Sequence, residues 1–393
     1  MEKIYQQDMY AITCDAKITD AAPLDAHLAD IRLDRTCFFP EGGGQSADTG
    51  TITGSMGSME VIDVQEDGED AVHRVRFSGA LPKKGEQVHC TIDWEHRFEN
   101  MQRHCGEHIL SGAFDRAFGC VNRGFHMGNA YMTIDLKAEK NPAFTGITPA
   151  MAKQAEQMAN RVIWEDLPVR IHYFKTREEA EQMPLRKPLA FDEAISVVLI
   201  GSSDNPADCV ACCGTHPSST GQVGLIKIYK LEKNKDMTRI YFDAGKPAFE
   251  HLVQEHDLLQ RLEHHFTSGM DELPEKLRAR EAKEEAQKQR IASLAHLAAS
   301  HWVEKIASST ETIFTIDPLT VDDGLRIGKL IERPFTGLLI QKAGVLLLFS
   351  DGSVDCGALA RKSGLRGGGR KTSARVAGSE EELTAFLARS LMP

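Results

Sequence analysis

The sequence lacks long apolar runs. Its most apolar segment, residues 336–350, is interrupted by Gln341 and Lys342, whereas a membrane-spanning helix needs about 20 consecutive apolar residues. The first residues, MEKIYQQDMYAIT, are charged and contain no apolar stretch of the length that a secretory signal requires. We therefore expect no membrane span and no secretory leader.

The sequence also lacks an excess of positive charge, and its number of cysteines is not even. The formal net charge is −11, so any nucleic-acid binding must use a local basic patch. The nine cysteines are odd in number and scattered, which argues against a disulfide framework and for a reducing, cytoplasmic environment. Three of them fall between positions 209 and 213, a spacing that favours metal binding.

The length exceeds that of one ordinary domain, since domains typically contain about 100–200 residues, and the chain has 393. Short β-like segments separated by turn signals fill the first part, and helical and β-like patterns alternate later. The later patterns include a predicted strand at Gly221–Tyr229 and a predicted last helix at Glu380–Leu391. We predict an α+β protein in four parts: a glycine-rich β-barrel-like domain at 1–92, an α+β zinc-containing domain at 93–247, a helical arm at 248–308 and a compact α/β domain at 309–393.

The predicted arm is rich in charge and helix formers, and Pro274 is expected to break it into two helices. Leucines recur along it, so a coiled-coil hairpin or a homodimer arm is one interpretation. A homodimer would form through this arm or through the C-terminal domain. A solvated connector is the other.

Two short stretches, about a hundred residues apart, carry potential metal ligands. The first, HCGEH at 104–108, places two imidazoles at i and i+4, which is one face of a helix. That helix is predicted to begin after Asp93 as its N-cap and to end at Gly119. The second stretch, CCGTH at 212–216, offers a thiolate and an imidazole four residues apart.

The candidate ligands are His104, His108, Cys212 and His216. Borderline-soft zinc is the usual metal for imidazole and thiolate together. A Cys209–Cys212 pair is a secondary possibility. Glu107 is turned about a quarter-circle away on the same helix, and we predict a solvated residue or a partner of a ligand.

Two glycine triplets stand out. The first, 42–44, follows an aromatic-proline stretch and precedes Gln45, so it is either a plain loop or a shaped binding loop. The second, 367–369, lies in a basic segment without an acid from 356 to 378. Backbone amides beside cations suit a phosphate or a nucleic-acid backbone, although a solvated basic loop is equally consistent. The candidate nucleic-acid-binding residues are Arg361, Lys362, Arg366, Arg370 and Lys371.

Together these motifs resemble the alanyl-tRNA editing proteins of the long AlaX type, free-standing relatives of the editing region of alanyl-tRNA synthetase. Residues 36–45 look like the family's Thr-x-Phe-Tyr-Pro-x-Gly-Gly-Gly-Gln stretch, with Phe39 in place of Tyr. Residues 104–108 look like its His-x3-His motif, and 212–216 look like its Cys-Gly-Gly-Thr-His motif with Cys213 in place of Gly. Residues 364–378 resemble the glycine-rich signature of the DHH-associated domain.

The resemblance implies hydrolysis of the ester that joins serine or glycine to alanine tRNA. A separate hydrolytic site is needed because a synthetase pocket discriminates poorly between alanine, serine and glycine. Their binding free energies differ by only about 1–3 kcal/mol. We predict that Thr36 contacts the serine hydroxyl, with Gln45 nearby. Gly43, Gly44 and His126 are further candidates for substrate binding. Because no sequence precedes the editing-like region, we expect an editing protein and not a complete synthetase.

Four candidate ligands leave the role of the metal open. Catalytic zinc usually has three protein ligands and one open position, whereas four usually mean a structural site. Either one ligand is loose, or the coordination expands, or the metal positions the tRNA 3′ end. Two other functions also stay open: a zinc hydrolase of small esters or amides, and a non-enzymatic RNA- or partner-binding module with structural zinc.

Overall fold

The computed structural model describes residues 1–55, 57–139, 146–190 and 192–390. The chain forms two compact units, Met1–Leu259 and Gln260–Pro393. The predicted mixture of helices and strands is confirmed, while the finer division into four parts stays a prediction. Among the described helices, none is long and apolar enough to cross a membrane.

The first unit begins with a closed β-barrel, in the region predicted to be β-rich. Its elements are β1 (Glu2–Lys3), α1 (Ile4–Gln7), β2 (Thr13–Pro23), β3 (Leu28–Leu33), β4 (Arg35–Thr36), β5 (Gly50–Gly54), β6 (Gly57–Asp67), β7 (Asp70–Arg76) and β8 (Gln87–Ile92). Six strands close the barrel in the order β2-β3-β7-β6-β5-β8. Their inward side chains alternate with outward ones and form one apolar cluster.

The helix that carries the two imidazoles, α2 (Trp94–Phe118), begins and ends where the sequence predicts. The Asp93 side chain caps its first turn, and Gly119 ends it with a φ of 65°. The buried guanidinium of Arg97 donates to the Asp48 carboxylate at 2.8 Å and to the Cys37 carbonyl at 2.7 Å. Because an unpaired buried charge is costly, this contact fixes the helix to the barrel.

Two sheets and a second long helix complete the first unit around α2. The elements are β9 (Val121–Met127), β10 (Met132–Lys137), α3 (Pro149–Trp164), β11 (Val169–Thr176), α4 (Arg177–Ala180), β12 (Glu193–Gly201), β13 (Pro206–Ala211), β14 (Ile226–Asn234) and β15 (Met237–Ala244). The sheet orders are β14-β15-β10-β9 and β11-β12-β13. The strand predicted from Gly221 begins only at Ile226, because Gly224 adopts a φ of 84° that a strand does not use.

The charged arm forms two helices, as predicted, but the break is elsewhere. The first, α5 (Gly245–Phe266), begins in the first unit and ends in the second, and the next is α6 (Leu273–Ala307). Pro274 does not end a helix. It lies in the first turn of α6, where its missing N–H has no helical partner to lose. The dimer arm stays a prediction.

The rest of the second unit is an α/β arrangement. Its elements are β16 (Ile313–Thr315), α7 (Val321–Leu330), β17 (Thr336–Ile340), β18 (Val345–Phe349), α8 (Cys356–Lys362), β19 (Arg366–Gly369), β20 (Ser373–Ala377) and α9 (Glu380–Ser390). Leu391, predicted to lie in the last helix, is outside the described residues. The sheet order is β16-β17-β18-β20-β19, and two apolar clusters accompany it.

The second glycine triplet is therefore part of an edge strand, which corrects its prediction as a loop. Gly367 pairs with Val376, and Gly369 pairs with Ala374. A side chain at Gly367 would place its Cβ 2.3 Å from the Arg375 carbonyl oxygen. Glycine thus lets the two strands approach closely here.

Candidate metal centre

The structure brings the four predicted ligands together. One ligand atom from each of His104, His108, Cys212 and His216 lies within 4.8 Å of the other three. Cys212 Sγ is 3.3 Å from His104 Nε2 and 3.5 Å from His216 Nε2. The turn after β13 reaches α2 this closely because Gly214 has no side chain, since a Cβ there would lie 2.2 Å from the His104 ring.

The arrangement fits zinc. His108 Nε2 is buried and has no hydrogen-bond partner among the described residues, and such orphaned buried atoms are rare unless something unobserved satisfies them. Imidazole nitrogens and a thiolate sulfur are both common ligands of zinc. The residues present therefore fit the metal that the motifs imply.

The electrostatics of the cluster favour a bound cation. Burial alone would raise the pKa of the Cys212 thiol, but the three surrounding imidazoles hold this pKa well below its usual range. Burial lowers the pKa of His216 to about 4, which leaves a neutral ring. Burial also acts to lower the pKa of His108, but the Cys212 thiolate, with nearby carboxylates, raises it to about 10. The same negative charge that stabilises a proton on His108 would also stabilise a metal cation there.

Gln45 orients one ligand and joins the first glycine triplet to the second motif. Its Oε1 accepts a hydrogen bond from Thr215 N at 3.0 Å and lies 2.9 Å from His104 Nδ1. Its Nε2 donates to Thr215 Oγ1 at 2.8 Å. Because an amide oxygen only accepts, His104 carries its proton on Nδ1 and directs the Nε2 lone pair to the cluster. Gln45 is thus placed as a positioning residue.

A second ligand is oriented by a pair that the sequence analysis missed. Asp208 Oδ2 accepts from His108 Nδ1 at 3.3 Å, and Arg186 holds the same carboxylate with bonds of 2.5 and 3.1 Å. Side chains alternate along β13, so Cys209 points away into a separate apolar cluster. Cys209 is not among the four clustered residues. An acid within the apolar strand PADCVA was the available signal for Asp208.

Glu107 is buried, so the prediction of a solvated residue is wrong. Only 4% of its surface is exposed, and its carboxylate accepts hydrogen bonds from Ser111 and Asn122. The physical reason is that α2 is buried on every side from Arg103 to Phe114. The alternative prediction, that Glu107 is a partner of a ligand, agrees with the position of Glu107 beside His108.

A cavity of about 600 Å³ opens onto the cluster and is lined by Gly43, Phe125 and Cys213, among others. The Phe125 ring stacks on His104 with 5.6 Å between centroids. Gly44 packs against Phe125, where a Cβ would lie 2.7 Å from the ring, and its φ is 84°. The first triplet therefore shapes the wall of a cavity.

Two predicted substrate contacts are not brought to this cavity. Thr36 is fully buried, and its hydroxyl lies 2.8 Å from His73 Nε2 and accepts from Phe38 N. His126 is exposed on β9, whereas its neighbour Phe125 lines the cavity.

The five basic candidates belong to the second unit and are all exposed. Arg361 and Lys362 end α8, Arg366 begins β19, and Arg370 with Lys371 forms the turn between β19 and β20. They therefore cluster around the edge strand that contains the second glycine triplet.

Comparisons with known proteins agree with the motifs. Residues 5–96 match the family model of class II (A) tRNA synthetases, and 195–241 match that of the threonyl and alanyl tRNA synthetase second additional domain. The alanyl-tRNA editing protein AlaX-L of Pyrococcus horikoshii is 35% identical over 254 residues, which are 64% of this chain and 60% of that protein. The chain is therefore similar to an alanyl-tRNA editing protein over about two thirds of its own length. The resemblance predicted from the motifs is confirmed.

The chain is also similar to part of larger proteins. Alanine–tRNA ligases of Pyrobaculum calidifontis and Pyrobaculum neutrophilum are 33% and 32% identical to the chain over 99% and 95% of its length. The chain spans 44% and 42% of those ligases, and so about half the length of the curated relatives it matches. The relation of the C-terminal unit to the DHH-associated domain stays a prediction.

Proposed function

We propose that the chain hydrolyses the ester bond between serine or glycine and alanine tRNA, as a trans-editing deacylase with zinc. One observation carries the proposal: four buried or half-buried ligand atoms within 4.8 Å of one another open onto a cavity of about 600 Å³. The relationship to alanyl-tRNA editing proteins supplies the substrate class. Pockets of a few hundred Å³ hold small ligands, so the cavity suits an aminoacyl group with its terminal ribose.

The chain's own residues prepare the site. Gln45 and Asp208 fix the rings of His104 and His108, so that their Nε2 atoms face the thiolate of Cys212. Phe125 and Gly43 line one part of the cavity, and Gly44 packs against Phe125. Zinc, when bound by the four ligands, supplies Lewis acidity toward an ester carbonyl or positions the tRNA 3′ end.

The basic edge of the second unit is proposed to bind the tRNA backbone. Its cations are exposed and stand beside an edge strand of glycines. Such contacts position a nucleic acid without reading its sequence. Chemistry and tRNA binding would then belong to different units of the chain.

The four-ligand set favours one other function, a tRNA-binding module in which zinc is structural. Closed sets of four ligands are the usual mark of structural zinc. This alternative predicts that zinc removal unfolds the first unit and that no charged tRNA is turned over at any zinc level.

A deacylation assay tests the proposal. Alanine tRNA is charged separately with serine, glycine and alanine and is incubated with purified protein, with and without a chelator. We expect rapid loss of the serine or glycine ester, a stable alanine ester, and inhibition by the chelator. Stable esters in all three reactions with zinc-loaded protein would contradict the proposal, and equal hydrolysis of a free aminoacyl ester would favour a small-ester hydrolase.

A further inference from the structure

Three carboxylates line the cavity among the described residues, and one of them is buried. Glu66 and Glu193 are exposed, whereas Glu107 is 4% exposed. Glu107 is not one of the four clustered ligands, and orienting those ligands does not require it. Because a buried charge is costly unless it is paired or hydrogen-bonded, the surroundings of this carboxylate indicate what it can bind.

One oxygen of Glu107 is held by two side chains. Oε1 accepts from Ser111 Oγ at 2.6 Å and from Asn122 Nδ2 at 2.7 Å. Asn122 is itself oriented, since Gly124 N donates to its Oδ1 at 3.0 Å. Contacts from both α2 and β9 thus fix the position of the carboxylate.

The other oxygen has acceptor capacity left. Oε2 lies 3.6 Å from His108 Nδ1, beyond hydrogen-bonding distance, and that nitrogen already faces Asp208 at 3.3 Å. Both hydrogen bonds found for this carboxylate in the described part of the chain involve Oε1 and not Oε2. A carboxylate accepts about four hydrogen bonds, so a negatively charged acceptor is available in the cavity wall.

An aminoacyl ester brings a cation into such a cavity. Its α-amino group is free, and α-amino groups have pKa values of about 7.7–8.0, so much of it is an ammonium ion near neutral pH. Arg123 and Lys187 in the cavity wall have the wrong charge to pair with it. Three neutral imidazoles and one thiolate around a divalent metal leave a further positive charge. The ammonium ion therefore needs an anionic partner.

We propose that Glu107 Oε2 accepts a hydrogen bond from the α-ammonium group of the aminoacyl ester. The inference rests on the proposed function, because only that function places an aminoacyl ester in the cavity. The contact orients the amino end beside His108 and so presents the ester to the clustered ligands. It also discriminates against esters that carry an uncharged group at the α-carbon.

The test compares two esters of nearly the same shape. Seryl-tRNA carries the α-ammonium group, and 2,3-dihydroxypropanoyl-tRNA, made from it by nitrous acid, carries a hydroxyl instead. Wild type should show a KM about 10- to 100-fold lower for the seryl ester, as expected for a hydrogen bond to a charged group. Glu107→Gln should reduce that preference to about threefold or less, by raising the KM for the seryl ester only.

The control is Glu95→Gln, which removes the same charge from an exposed position of the same helix. It should keep the wild-type preference. Equal losses of kcat for both esters in Glu107→Gln, with unchanged KM values, would overturn the inference, because a base or a structural support acts on both esters alike.

A binding measurement on wild type keeps the inference falsifiable if the variant does not fold. Calorimetry compares 3′-serylamino-3′-deoxyadenosine with its 2,3-dihydroxypropanoyl counterpart, neither of which is an ester. The amine should bind at least about tenfold more tightly, and equal affinities would overturn the inference. Wild type that hydrolyses neither ester would contradict the proposed function itself, and this assignment with it.

Discussion

The chain contains two glycine triplets, and the structure uses them in different ways. In the first unit, Gly44 has a φ of 84° and packs against Phe125, next to the fully buried Gln45. In the second unit, Gly368 lies in an edge strand with nothing within 4 Å of a side chain built there. The first region depends on exact contacts between buried groups, whereas the second presents exposed cations. Substitutions should therefore act through geometry in one region and through charge in the other.

The largest effect is expected from Cys212→Ala in the first region. Loss of the thiolate should remove bound zinc and reduce deacylation of seryl-tRNA at least about 100-fold, since a metal contributes several kcal/mol of stabilisation. Mass spectrometry measures the bound zinc, and single-turnover kinetics measures the rate of deacylation. Cys209→Ala is the matched control and should keep its zinc, because that thiol lies in a separate apolar cluster. Zinc loss in the control alone would reassign the ligand.

A smaller loss is expected from Gln45→Ala, which leaves every ligand in place but frees the His104 ring. Removing a hydrogen bond that orients a ligand typically lowers metal affinity about 10- to 100-fold. Competition with a chromogenic chelator gives the zinc affinity. Gln65→Ala, at an exposed position of the barrel, should leave it unchanged. If Gln45→Ala binds zinc like wild type, Gln45 does not position His104.

The two triplets can be compared directly by Gly44→Ala and Gly368→Ala. The first forces a side chain into a left-handed backbone and against Phe125, so we expect a destabilisation of about 1–3 kcal/mol. The second adds a methyl group to open space and should change the free energy of unfolding by less than about 0.5 kcal/mol. Urea unfolding measures both. Equal changes in the free energy of unfolding for the two variants would contradict the described difference between the triplets.

Substitutions in the second region are expected to have the smallest effect on the rate of deacylation. Neutralising Arg366 and Arg370 together should weaken tRNA binding and lower the slope of log affinity against log salt by about 1.4 to 1.8. Single-turnover deacylation at saturating tRNA should stay close to wild type. Filter binding across salt concentrations measures the slope. The control is a double substitution of Lys283 and Lys288, which are exposed on α6, and an equal slope change there would contradict a specific role for the basic edge.

Local patterns explain what the sequence predicted well. The capping Asp93 and the ending Gly119 define α2, and the i, i+4 spacing places both imidazoles on one side of it. The barrel and the two arm helices also follow from short-range periodicity. The four clustered ligands were predictable because each half of the set is itself a local motif.

What the sequence did not predict depends on distant partners. Gln45 meets Thr215 across 170 positions, and Asp208 meets His108 across 100. The burial of Glu107 follows from the packing of both sheets against α2, which no local pattern records. The second triplet is an exception, because its partner strand β20 follows after a short turn. Glycines disfavour a strand, and the pairing with β20 outweighs that preference.

The most direct test of the central claim is a zinc titration of metal-free protein. Each sample is divided into two parts. Bound zinc is measured in one part, and the single-turnover rate of deacylation of alanine tRNA charged with serine is measured in the other. The account predicts a rate that rises in proportion to bound zinc and reaches a plateau at one equivalent per chain. Full activity in folded protein that holds no zinc would contradict it.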